Sequence, residues 1–122
     1  MATGVKVDPS TIELYKIFKL RKTPHRFVVL YIDLEAGFIK IERTVDKNED
    51  ISQEDEYNSF ISSLPTNEGR YFWADLTVTG KSGAARDIMF SVAWNPNNAP
   101  TKSNILYSMS KAALIEKCRE EI

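Results

Sequence analysis

Cysteine is almost missing from this sequence: Cys118 is the only one. No disulfide can form within the chain, and a reducing compartment is the expected setting. Histidine is equally scarce, with His25 alone, so no second imidazole exists to complete a histidine metal site. Neither sign of charge is in excess. Sixteen Lys and Arg face 17 Asp and Glu, and that balance gives no bulk attraction toward nucleic acid. Long apolar runs are missing too. The longest, Phe27 to Ile32, is far too short to span a bilayer. The opening MATGVKVDPS lacks the apolar stretch of a secretory signal. These absences lead to the expectation of a cytoplasmic protein with no transmembrane segment and no nucleic-acid partner.

Nucleotide and catalytic signatures are also lacking. There is no G-x-G-x-x-G and no G-x-x-x-x-G-K-[ST]. TGKSG, residues 79 to 83, echoes the end of a phosphate loop but has no upstream glycine. Lys117 and Arg119 flank Cys118 and would favour its thiolate, yet no Cys–His pair with an orienting third group is readable. The expectation is no enzyme, no cofactor and no metal.

What is present is strong periodicity. The 122 residues suit one domain, 1–122, large enough to bury a core. Asp8-Pro9 supplies a helix cap and a first-turn proline. Ile12, Tyr15 and Phe18 then recur at helical spacing. FVVLYIDL, residues 27 to 34, is short, β-branched and apolar, as in a strand buried on both faces. After Ala36-Gly37, the apolar Ile39, Ile41 and Val45 alternate with polar residues in a hairpin partner. The acidic stretch 46–56 reads as a solvated loop and helix start. There Ser52 and Asp55 form a variant of the capping box. Tyr57, Phe60, Ile61 and Leu64 give one apolar helix face, which Pro65 stops. Residues 70–79 and 87–94 read as two more strands around the glycines Gly80 and Gly83. Tyr71, Phe72 and Trp73 are consecutive and cannot all point to one face, which favours packing over base stacking. From Thr101 to Glu121 the pattern is helical, with Leu106, Met109 and Ala113 on one face and Leu114 near it. The order predicts an α+β fold: a mixed, mainly antiparallel sheet of four or five strands with helices on both faces.

The segment WNPNNAPTKSNILYSMSKAAL, residues 94 to 114, carries the functional reading. Trp94, Pro96, Ala99, Pro100, Lys102, Tyr107, Ser110, Lys111 and Leu114 fall in order on the pattern of the ADF/cofilin family. MATGVKVD, FKLRKTPHRFVVLYI and YNSFISSLPTNEGRYFWAD resemble further family segments, so the likeness covers nearly the whole chain. It implies the ADF-homology fold and an actin-binding protein without enzymatic activity, associated with the cytoskeleton and expected as a monomer. It implies that actin monomers, ADP-actin preferred, are bound and filament turnover promoted. Thr3, Gly4, Val5, Lys102, Asn104, Ile105, Met109 and Lys111 are the implied monomer contacts. Thr3 takes the place of a regulatory serine and is an implied phosphosite. Lys102, Lys111 and Lys117 suggest phosphoinositide headgroups as second partners.

The sequence also departs from the family pattern. Asn104 replaces a second basic residue, and Ile105 a methionine. In the loop region 80–87 only Lys81 and Arg86 remain as filament-binding cations. The sequence stops at Ile122, where the family has a further strand and helix. The sparse loop and the LRKT segment are similar to reduced ADFs of some parasitic protists, and they speak against filament decoration and severing. The competing expectation is a same-fold relative of the glia-maturation-factor or coactosin type, binding the branch-nucleating complex or filaments only.

Overall fold

The computed structural model describes residues 5–120. Its elements run β1 (Lys6–Val7), α1 (Pro9–Lys19), β2 (His25–Asp33), β3 (Phe38–Asp46), α2 (Gln53–Ser63), β4 (Arg70–Thr79), β5 (Ala85–Trp94) and α3 (Thr101–Glu120). The strands form one sheet in the order β1-β3-β2-β4-β5. Only β1 runs parallel to its neighbour, β3; the other pairings are antiparallel. The fold is therefore α+β, with the mixed, mainly antiparallel sheet that the sequence predicted.

The helix starts follow from their caps. The Asp8 carboxylate accepts from the Ser10 amide at 2.9 Å, and Pro9 begins α1. The Ser52 hydroxyl accepts from the Asp55 amide at 3.1 Å at the start of α2. Each satisfies a donor that a helix N-terminus leaves open.

Two cores lie on opposite faces of the sheet. On one, α1 and α3 pack over Val28, Leu30, Ile39, Tyr71 and Trp73. On the other, α2 brings Phe60 and Leu64 onto Phe27, Val29, Phe72 and Ala74. The aromatics alternate as expected: Tyr71 and Trp73 face α1 and α3, and Phe72 faces α2. Phe27 stacks on Phe60 with ring centroids 4.0 Å apart.

Three local readings are corrected. Strict alternation in β3 fails, because Val29 opposes Arg43 while Leu30 opposes Ile41. The extra residue, Glu42, flips the strand, so Ile39 and Ile41 face one core and Val45 the other. The acidic stretch is not wholly solvated. Glu56 is buried and bridges to Arg26 at 3.2 Å, while its other oxygen accepts from the Asn48 amide at 2.9 Å. The buried stripe of α3 is Tyr107, Ser110, Leu114 and Cys118, one position round from the predicted Leu106, Met109 and Ala113 face.

Candidate functional site: the outer face of α3

The inward side of α3 is fixed at Tyr107. Its hydroxyl accepts from the Ile32 amide at 3.0 Å, and its carbonyl accepts from the Tyr71 hydroxyl. Burial pushes both phenols above their ordinary value. Gly69 leaves room for this ring: a Cβ there would stand 2.8 Å from Tyr107 ring carbons. The helix is thus held at a set height and rotation over the sheet.

The segment before the helix is held as firmly. The Trp94 indole donates to the Pro65 carbonyl at 2.8 Å. The Ala99 amide donates to the Pro96 carbonyl at 3.1 Å. Asn104 Nδ2 reaches back to the same carbonyl at 3.2 Å. Asn104, predicted among the actin contacts, therefore has its amide turned to its own loop. Pro100 accepts the Asn104 backbone amide at 3.1 Å and opens the first turn.

With that side fixed, the opposite side faces solvent. Thr101, Ile105, Ser108 and Ala112 recur at four, three and four residues and are all exposed, forming one stripe along the helix. Ile105 is 53% exposed, and Met109 lies one turn beyond it, half-buried. A shallow depression runs beside this ridge, lined by Asn97, Ala99, Thr101, Ile105, Ser108 and Met109. Thr101, Ser108 and Ala112 were not picked out from the sequence. Their signal was there: small side chains on the register of Ile105.

The structure brings Lys102, Ile105 and Met109 onto the outer half of α3. Lys111 is exposed but lies seven residues from Asn104, on that residue's flank, away from Lys102. Val5 packs against the core between the sheet and α3. Thr3 and Gly4 lie outside the described residues. Lys81 and Arg86 are exposed in and beside the β4–β5 turn. The antiparallel register puts that turn at the end of the sheet away from the first turn of α3. Cys118 is a core residue, and His25 Nδ1 sits 2.6 Å from the Asp46 carboxylate across the strand pair. No helix among the described residues is long and apolar enough to cross a membrane.

Comparison with known proteins fits this geometry. The chain is 33% identical to actin-depolymerizing factor 1 of Zea mays over 110 residues, 90% of this chain and 74% of that protein. It is 31% identical to cofilin of Schizosaccharomyces pombe over 112 residues, 92% of this chain and 75% of that protein. Its fold matches the crystal structure of Plasmodium berghei actin depolymerization factor 2 with a TM-score of 0.84 at 24% identity, over 96% of this chain and 80% of that one. Residues 4–122 match the family described as cofilin/tropomyosin-type actin-binding protein. The chain therefore belongs to the cofilin/ADF family of actin-binding proteins, which are not enzymes.

Proposed function

We propose that this chain binds the actin monomer with the outer face of α3 and with the residues before β1, Thr3 and Gly4 among them, and that it promotes filament turnover. One observation carries the reading. A helix anchored on its inner side presents Ile105, a large apolar residue more than half exposed, between small neighbours. Small flanks let a partner approach closely, and an apolar ridge suits a hydrophobic cleft. Lys102 is exposed in the first turn, where its charge and the helix N-terminus would together attract an actin carboxylate. Asn104 serves this site by holding the Pro96 loop against the helix start.

Preference for ADP-actin is part of the proposal. So is weak contact with filament sides through Lys81 and Arg86, since these are only two exposed cations in and beside the β4–β5 turn. A phosphate on Thr3 would add about -1.5 to -2 charge and weaken binding. Lys102, Lys111 and Lys117 are spread around α3 rather than gathered, so a phosphoinositide is the weaker reading of this surface. The protein is read as a cytoplasmic monomer of one domain.

The test is a titration of fluorescent ADP- and ATP-actin monomers, with filament co-sedimentation in parallel. Wild type should saturate the monomer. Ile105→Asp should weaken binding about tenfold or more, as expected for a central anchor, and Lys102→Ala about two- to fivefold. A folded protein that binds no monomer would overturn the reading. Assignment would then pass to the branch-complex or filament-only relatives.

A further inference from the structure

The tip of the β2–β3 hairpin carries a residue that the fold does not use. Leu34 is 72% exposed, more than any other large apolar residue described. The tip around it is nonetheless well held. Asp33 accepts from the Glu35 amide at 3.1 Å and the Ala36 amide at 3.2 Å, and it pairs with Lys40 at 3.2 Å. Gly37 takes φ of 75°, which suits glycine, and its amide donates to the Asp33 carbonyl at 2.8 Å. Leu34 is therefore presented to solvent by a built turn.

Leu34 also forms one wall of a groove of about 730 Å³. Tyr31, Ile32, Leu106 and Tyr107 give it an apolar lining, and Lys102 stands at the α3 wall. The Arg70 guanidinium in the same groove is taken up by Glu42 at 3.0 Å and Glu68 at 2.9 Å. Its charge is thus met from within the protein. Lys102 belongs both to this groove and to the outer face of α3, so the two surfaces are continuous.

The chain path gathers a third feature here. The Lys6 amide donates to the Gly37 carbonyl at 3.0 Å, and β1 runs parallel to β3. Lys6, the first residue of β1, thus lies beside the hairpin tip. The start of β1, the tip and the first turns of α3 share one end of the molecule.

We propose that Leu34 and the groove between the hairpin tip and α3 form an additional actin contact, taking an apolar side chain of the same monomer that α3 engages. The inference rests on the α3 reading. It adds a second apolar anchor to Ile105 and commits the groove to actin, because Lys102 stands both in the groove wall and on the outer half of α3. Burying Leu34 against an apolar partner gives up little packing, since it is 72% exposed among the described residues.

The experiment titrates labelled ADP-actin monomers with the full 122-residue chain carrying Leu34→Asp, Leu34→Met or Ile105→Asp, each with its melting curve. Leu34→Asp should weaken binding about five- to tenfold, while Leu34→Met, which keeps the apolar volume, should stay within about twofold. Melting of both Leu34 variants should match wild type, because the side chain is exposed. If Ile105→Asp weakens binding and Leu34→Asp does not, the groove contact is refuted while the α3 reading stands. If neither substitution changes affinity, both are refuted. Equal losses in Leu34→Asp and Leu34→Met would also count against the groove, since they would point to the turn rather than to the apolar contact.

Discussion

The two sides of α3 obey opposite rules. Inward, Tyr107, Ser110, Leu114 and Cys118 are buried, and Tyr107 is tied at its hydroxyl and its carbonyl. Outward, Thr101, Ile105, Ser108 and Ala112 have no structural task that the sheet imposes. The inner stripe sets where the helix stands, and the outer stripe is what the helix shows. A helix used for binding gains from this division, because a rigid ridge loses little conformational freedom on docking. The difference implies that stability and affinity are separable along a single helix.

The hardest blow to the inner side is Leu114→Ala. Leu114 is 2% exposed, so its loss should cost about 2–5 kcal/mol in chemical denaturation. Ser108→Ala, on the outer stripe, should stay within about 0.5 kcal/mol of wild type. Equal costs would break the division. A smaller but more pointed change is Gly69→Ala. The added Cβ would press on the Tyr107 ring, whose hydroxyl is held by the Ile32 amide and whose backbone carbonyl is held by the Tyr71 hydroxyl. Overpacking should cost about 1–3 kcal/mol. It should also weaken actin binding more than the stability loss explains, by shifting the ridge. Unchanged affinity in the folded variant would show that the ridge tolerates displacement.

Much of this was readable from the chain itself. Asp8-Pro9, Ser52 and the Leu64-Pro65 stop mark helix ends through local chemistry, and the structure keeps them. The apolar run at 27–34 and the consecutive aromatics at 71–73 gave the centre of the sheet and its two faces. Where the reading slipped, a long-range contact decided. Leu106, Met109 and Ala113 looked like a core face because they are apolar. Tyr107 took that role because Ile32, Tyr71 and Gly69 receive it, and none is near in sequence. Glu42 reads as an ordinary strand residue, and only the pairing with β2 makes it the bulge. The two residues of β1 have no periodicity to detect, being fixed by the Lys6 amide on the Gly37 carbonyl and the following Asp8 amide on the Ile39 carbonyl. Glu56 looked solvated because Arg26, which neutralises it, lies thirty residues earlier. Of the proposed contacts, Ile105 and Lys102 were suggested by family likeness. Leu34 was not, since a leucine ending an apolar run looks like more strand.

The gentlest test of the outer surface concerns the turn that presents Leu34. The Ala36 amide first, and then Lys40, hold the Asp33 carboxyl below its usual value of 3.8. A carboxyl depressed in the folded state adds stability above its unfolded value and loses it as pH falls through the folded one. Wild type should therefore melt above Asp33→Asn at neutral pH, and the gap should close only below about pH 4. Carboxyl chemical shifts through an acid titration would place the Asp33 midpoint below 3.8. The gap should stay small, because this turn is solvated and salt screens its ion pair. A midpoint at or above the ordinary carboxylate value would mean that the turn is not held by Asp33. Leu34 would then be swinging on a loose loop, and the outer surface would lose the rigidity that separates it from an ordinary exposed residue.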